Sequence, residues 1–262
     1  MRICLLIAVW KRVELTELVY KQLKNVLPDY VDALIVGSEY DHEKLAKKYS
    51  FKYCSHENIL GAKLNHALSI ALKSEWDYLM QIGSDDLIHP DIFEAYKPHY
   101  GQDIFGIDKC YMHEQNSGKT KLFTYSGGAL LGAGRMISRK AIEQTAICHE
   151  VKPLTQLSNG TETWNRNRPV KVPQKIANSW IESGHANLIN DTKTIHLWNP
   201  AAMKGMDSYS QKLLSSNGFD FNVIEPETVL LCDVKTETNI FSFDVITAEE
   251  TTLPKYFKDL LK

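Results

Sequence analysis

Four residues at the end of an apolar run, Gly83-Ser84-Asp85-Asp86, carry the strongest chemical signal in this chain. Two adjacent carboxylates in such a place are costly to bury without a cation or a network of donors. Hard divalent cations such as Mg²⁺ and Mn²⁺ take oxygen ligands and commonly share them with substrate phosphates. The tetrapeptide therefore suits a metal that neutralises a diphosphate. It equally suits a helix cap with a solvated neighbour. Lys63 follows Gly61 near an expected helix start, where free backbone N–H groups and a cation together favour a phosphate. A simply solvated lysine is the plainer reading.

These residues need a frame. Ile3 to Val9 is continuously apolar, as in a strand covered on both faces. Leu15, Leu18, Val19, Val26 and Leu27 then recur near the helical period until Pro28. Ala33 to Val36 reads as a second strand, Asp41 to Tyr49 as a short helix and Phe51 to Cys54 as a third strand. Leu64, Ala67, Leu68, Ala71 and Leu72 mark an amphipathic helix, and Tyr78 to Ile82 a fourth strand. The alternation predicts a doubly wound, mostly parallel α/β sheet. Ligands of such sheets bind beyond the carboxyl ends of the strands. Trp10, Gly37-Ser38-Glu39 and Gly83 to Asp86 all fall there.

The second half is less regular. Ser138 is placed to cap a helix running through Ala146, residues 152–175 read as loop, and a helix is expected from Asp207 to Asn217 with Gly218 closing it. Thr228 to Val234 and Asn239 to Ile246 look like strands. The stretch from Gly127 to Gly134 lacks the third glycine of a dinucleotide fingerprint, since Ile137 stands in its place. Gly132 and Gly134 fit better as a floor that lets a sugar ring approach the backbone, or as close packing. The tail from Leu253 to Lys262 is amphipathic, and docking on its own domain is favoured over a membrane-surface role.

Composition narrows the setting. The chain has 262 residues, is 44% hydrophobic and carries 30 basic against 32 acidic residues. That balance disfavours a duplex-coating protein, whose affinity rests on neutralising phosphates. Five cysteines, an odd number with no C-x-x-C pair, point to a reducing, cytoplasmic setting without a disulfide framework or zinc knuckle. No apolar run approaches the roughly 20 residues of a membrane span.

In order and spacing, the opening strand, the Gly37-Ser38-Glu39 turn, Leu60-Gly61-Ala62-Lys63-Leu64-Asn65 and the Asp85-Asp86 strand end resemble GT-A glycosyltransferases, specifically the inverting family-2-like branch. The resemblance covers residues 1 to 145 well and the rest loosely. It implies a GT-A-like sheet with a less regular, acceptor-side C-terminal part. It implies one catalytic domain over 1–262, with a nucleotide-sugar and metal half at 1–100, an acceptor half at 101–225 and terminal strands and helix at 226–262. Asp85 then matches the last acidic residue of the D-x-D motif, and Asp86 the acidic residue that often follows. Ala8, Val9, Trp10, Gly37, Ser38 and Glu39 match segments holding the nucleoside, Lys63 the residue that reaches the diphosphate, and Ser84 and Gly83 the place of ribose and metal. Gly83 departs from the motif, which has Asp at that position, and Glu39 stands near where the family often has Asp.

The resemblance also implies a base from an Asp or Glu that opens a helix in the second half. Glu162, in Gly160-Thr161-Glu162-Thr163-Trp164, matches best, with Glu150 as rival. Trp164 is suited to stack on an acceptor sugar. A late His often joins the metal in this family, which points to His196, with His185 a lesser option, although a lone His in an apolar run is commonly a core residue. The implied reaction moves a sugar from a nucleotide-diphospho-sugar to an acceptor hydroxyl with Mn²⁺ or Mg²⁺, with inversion. The acceptor class, whether glycan, lipid-linked sugar, protein or modified nucleic acid base, is not legible. A nucleotidyltransferase on a similar sheet, or a non-catalytic nucleotide- or sugar-binding scaffold, are the alternatives.

Overall fold

The structure, a computed structural model, describes residues 1–125, 127–158, 163–237 and 243–262, with backbone alone at 190–193. The first third alternates as its apolar pattern requires: β1 (Ile3–Ala8), α1 (Val13–Val26), β2 (Val31–Gly37), α2 (Tyr40–Lys48), β3 (Lys52–Ser55), α3 (Leu60–Ala71) and β4 (Tyr78–Gly83). A turn at Ser84-Asp85 leads into β5 (Asp86–Ile88) and α4 (Ile92–Tyr96). Then come β6 (Ile104–Gly106), β7 (Lys109–Glu114), β8 (Thr120–Thr124), β9 (Met136–Ser138) and α5 (Arg139–Thr145). The Ser138 side chain caps α5 by accepting from the Ala141 N–H.

Three layers result. The main sheet runs β15-β6-β9-β4-β1-β2-β3, where β15 is Asn222–Val223 near the end of the chain. Its β4-β1-β2-β3 portion is parallel, and β9 lies antiparallel between β4 and β6. Ile3, Leu5 and Ile7 of β1 face one apolar cluster with Leu15, Val19 and Leu23 of α1. Cys4 and Leu6 face another with Leu64, Ala67 and Leu68 of α3. Alternate residues of one strand thus feed two cores, which is why β1 had to be apolar throughout.

The remaining strands diverge from expectation. Residues 152–175 are not simply loop. β10 (Ile147–Pro153), β13 (Val170–Pro173) and β14 (Ala186–Ile195) make a separate antiparallel sheet, covered by α6 (Gln174–Glu182). β11 (Leu157–Ser158) and β12 (Thr163–Trp164) form a small hairpin beside it. These strands were hidden because their outer faces are polar and their pairing is non-local. α7 (Met206–Ser216) ends at Gly218, whose φ of +82° suits glycine. β16 (Leu231–Lys235) pairs with β5 on one side and β7 on the other, and β8 completes that four-stranded sheet. Over 239–246, residues 243–245 form a 3₁₀ turn rather than a strand, and 239–242 lie outside the described residues. The tail helix α8 (Lys255–Leu260) docks on the main core through the fully buried Phe257.

Three residues of the Leu60–Asn65 segment have architectural partners. The Asn65 amide accepts from the Leu197 and Trp198 N–H groups at 3.0 and 3.1 Å and donates to the Trp198 carbonyl at 2.6 Å. A Cβ on Gly61 would lie 1.8 Å from the Asn199 carbonyl oxygen. The Lys63 ammonium donates to the Val9 carbonyl and to Asn58. Helix α3 thereby fixes both the end of β1 and the segment after β14.

Asn65→Ala leaves buried backbone groups at 197 and 198 unpaired, with an expected loss of about 2–4 kcal/mol. Gly61→Ala forces α3 off that segment, with a loss of at least ~2 kcal/mol. Urea denaturation of both variants against wild type checks these values.

Candidate functional site

Strand register creates the site. β5 and β16 are antiparallel, and Asp86 lies directly opposite Asp233. Asp85 precedes Asp86 in the tight turn, and its carbonyl accepts from the Val234 N–H at 2.8 Å. One carboxylate oxygen from each of Asp85, Asp86 and Asp233 lies within 4.8 Å of the others. Like charges directly across a strand pair repel. Burial, then Asp233 and Asp85, push the Asp86 pKa well above the carboxylate range. Burial, then Asp85, raises that of Asp233 to about 6.

Two cations answer this charge from within the chain. Arg12 pairs with Asp85 at 2.7 Å and donates to the Ser84 hydroxyl at 3.0 Å. Lys235 pairs with Asp233. Burial opposes the Lys235 charge, yet Asp233, Asp85 and Asp86 hold its pKa above the ordinary value. Lys11 and Arg12 are both left-handed, with φ of 54° and 48°, a strained conformation for side-chain-bearing residues. The Lys11 N–H donates to the Glu39 carboxylate at 2.7 Å, so Glu39 and Asp85 together pin this corner.

Gly83 has a steric cause. A Cβ there would lie 2.5 Å from an Asp85 oxygen and 3.0 Å from an Asp86 oxygen. The Gly83 N–H also donates to the Asp86 carboxylate. An aspartate at this position would collide with both neighbouring carboxylates.

Beside the carboxylates, at the carboxyl ends of β1 and β4, lies a cavity of about 220 Å³. Ala8, Val9, Trp10, Lys63, Ser84 and Asp85, all singled out from the sequence, line it, and Arg12 and Lys235 complete its charged side. Lys63 is 1% exposed rather than solvated, and burial lowers its pKa. Gly37, Ser38 and Glu39 do not line it. Gly37 instead admits the Tyr53 hydroxyl and Val9, each of which would stand within 3 Å of a Cβ.

Other expectations are corrected. His196 is not beside the carboxylates. It follows the last strand of the small sheet, its N–H donating to the Ala146 carbonyl, and lines a second cavity together with Trp164. Asp233 is the third acidic residue, reached through strand pairing that no local pattern announces. The only trace in the sequence is a polar residue at 233 and another at 235 within an apolar strand. Gly132 and Gly134, expected as a sugar-binding floor, line neither of these two cavities. Gly132 makes room for Asp207, whose carboxylate approaches within 1.8 Å of where a Cβ would lie. Gly134 is a core turn with φ of +80°, its carbonyl accepting from the Tyr96 hydroxyl. Trp164 packs on Trp180, away from the carboxylates. Glu150 pairs across β10 with Lys171 of β13. Glu162 lies outside the described residues. All five cysteines are free thiols. Among the described residues no helix is long and apolar enough to cross a membrane.

No protein-family model matches the chain, and no curated protein matches it. Solved structures are similar at low identity. The S. aureus TarS structure in complex with UDP-GlcNAc is 13% identical, with a TM-score of 0.49, over 91% of this chain and 60% of that one. The mannosyltransferase PcManGT from Pyrobaculum calidifontis, in complex with GDP-Man and Mn²⁺, is 10% identical, with a TM-score of 0.49, over 89% of this chain and 56% of that one. Glucosyl-3-phosphoglycerate synthase from Mycobacterium tuberculosis, in complex with Mn²⁺, UDP and glucosyl-3-phosphoglycerate, is 15% identical, with a TM-score of 0.38, over 55% of this chain and 59% of that one. The chain thus covers 56 to 60% of the length of these structures.

The raised carboxyl pKa values set a pH dependence for metal-free protein. Between the unfolded carboxylate pKa of about 4 and the folded value, the native state binds more protons than the unfolded state. Stability from this cluster therefore falls as pH rises through about 4 to 6 and beyond, by roughly 1–3 kcal/mol. Melting in EDTA from pH 5 to 7.5 should show this fall, and Asp233→Asn should flatten it. Gly83→Ala should cost about 1–3 kcal/mol by overpacking the turn, measured in the same melts.

Proposed function

We propose that this chain is a glycosyltransferase that takes a nucleotide-diphospho-sugar as donor and holds it between the β1–β4 cavity and the acidic turn. The observation that carries this reading is the convergence of Asp86 and Asp233 on Asp85, which itself lines a cavity formed at the ends of two parallel strands. Strand ends of an open parallel sheet are where nucleotides bind. A volume of about 220 Å³ is below that of a complete ligand site, roughly 300–1,000 Å³. It suits one part of the donor, with the diphosphate extending toward the carboxylates.

The three carboxylates fit a hard divalent cation: oxygen ligands only, close together, with the pKa values of Asp86 and Asp233 raised by burial and then by their acidic neighbours. Asp85, Asp86 and Asp233 would hold Mn²⁺ or Mg²⁺. The ion, when bound, supplies Lewis-acid neutralisation of charge on the leaving diphosphate. Arg12 and Lys235 bring positive charge to the same wall of the cavity and are placed to bind phosphate oxygens. Trp10 and Val9 give the cavity its apolar surface. The acceptor-activating base is proposed to be Glu162, on its sequence context alone, and transfer with inversion rests on the same resemblance.

A second reading has its own observation. Arg12 and Lys235 already pair with Asp85 and Asp233. The cleft then binds a diphosphate through resident cations without a metal, as in a non-catalytic nucleotide-sugar-binding protein.

A thermal-shift panel of UDP- and GDP-sugars, with and without Mn²⁺, separates the two. A donor at about 100 times its dissociation constant should add roughly 2.7 kcal/mol of stability. For the metal-dependent transferase, the shift requires Mn²⁺, disappears in Asp85→Ala and Asp233→Asn, and is accompanied by slow release of free sugar from the donor. A shift that ignores Mn²⁺, vanishes in Arg12→Ala and releases no sugar supports the second reading. No shift with any donor rejects both.

A further inference from the structure

We propose that the second cavity, between the small antiparallel sheet and α7, is a binding site for an anionic saccharide chain. It measures about 960 Å³, near the top of the roughly 300–1,000 Å³ range of small-ligand sites and large enough for several sugar units. It shares no lining residue with the cavity at the ends of β1 and β4. The inference therefore stands whether or not the donor reading holds.

Its wall has two kinds of surface. Trp164 and Trp180 meet edge to face, with ring centroids 4.9 Å apart and planes at 70°. Both are only partly buried, so indole surface faces the cavity where the apolar face of a sugar ring can lie. Around them stand Lys171, Lys175, His196 and Asn217. The two lysines are exposed and form no ion pair among the described residues, and no carboxylate is among the described residues of the wall. Burial, then Lys171, lowers the His196 pKa, so the ring is neutral near pH 7 and both donates and accepts.

This set selects its ligand class. Partly exposed tryptophans beside hydrogen-bonding side chains suit a polyhydroxylated ring. Lys171 has Glu150 as its cross-strand neighbour but forms no ion pair with it, and with no carboxylate among the described residues that line the cavity, the two lysines favour carboxylate, sulfate or phosphate groups on that chain. Single-stranded nucleic acid fits less well. It needs a row of cations tracking the backbone and aromatic platforms for successive bases, whereas this wall offers two lysines and two rings at steep mutual inclination. The indoles also close the small sheet's own core, against Val151, Val172 and Ala177, so the tryptophans serve stability and binding together.

Calorimetric titration of the full chain with hexagalacturonate, cellohexaose and a thymidine hexanucleotide tests the proposal. Hexagalacturonate should bind at least tenfold more tightly than cellohexaose and weaken with added salt. Because Trp180→Ala risks unfolding the small sheet, the deciding variant is the exposed pair Lys171→Ser/Lys175→Ser. It should lose tenfold or more in hexagalacturonate affinity with an unchanged melting temperature, while Asp85→Ala should bind hexagalacturonate as wild type does. Absence of hexagalacturonate binding overturns the proposal. So does equal affinity in the lysine variant, equal affinity for cellohexaose, or tighter lysine-dependent binding of the hexanucleotide.

Discussion

Asp86 and Asp233 face each other across a strand pair, and the charges around them offset that repulsion. Antiparallel pairing of β5 with β16 brings two buried carboxylates together, and the turn adds Asp85. Coulomb energy at such separations is large in a protein interior unless cations or protons relieve it. The chain supplies both kinds of relief. Lys235 and Arg12 place positive charge on the outer carboxylates, and the innermost, Asp86, is pushed toward its protonated form. Under the proposed donor reading, an external cation would take the place of these internal counter-ions.

The surrounding scaffold holds this arrangement in place. Left-handed Lys11 and Arg12 are costly, and they persist because Glu39 and Asp85 accept from the corner they form. Lys63 ties the end of β1 to Asn58, and Asn65 ties α3 to Leu197 and Trp198. Gly83 leaves the space that the two neighbouring carboxylates fill. Residues that look like ligand contacts in the sequence are in several cases the braces that keep the contacts apart from the core.

The two cavities divide the molecule by chemistry. The first is compact, mixed in charge and built on the rigid parallel sheet. The second is larger, without acidic side chains among its described residues, and built on a small sheet with its own minor core. The two cavities share no lining residue.

By itself the sequence determined the first third of the molecule. Its apolar runs and helical spacing are local signals, so β1 to β4 and α1 to α3 could be read within a residue or two, as could the placement of Trp10, Ser84 and Asp85 at strand ends. It also raised, without deciding, the question of compensation at Asp85 and Asp86, since a helix cap with a solvated neighbour would have needed none. Tertiary structure alone decided who provides it. Asp233 lies 147 residues from Asp86 and meets it only through strand register, and His196, nearer in sequence, is carried by the small sheet to the other cavity. Pairing between distant strands depends on the whole folded chain, whereas periodicity is written into each segment. That is why the metal-ligating candidates were half legible, and why the partner of the acidic turn was not.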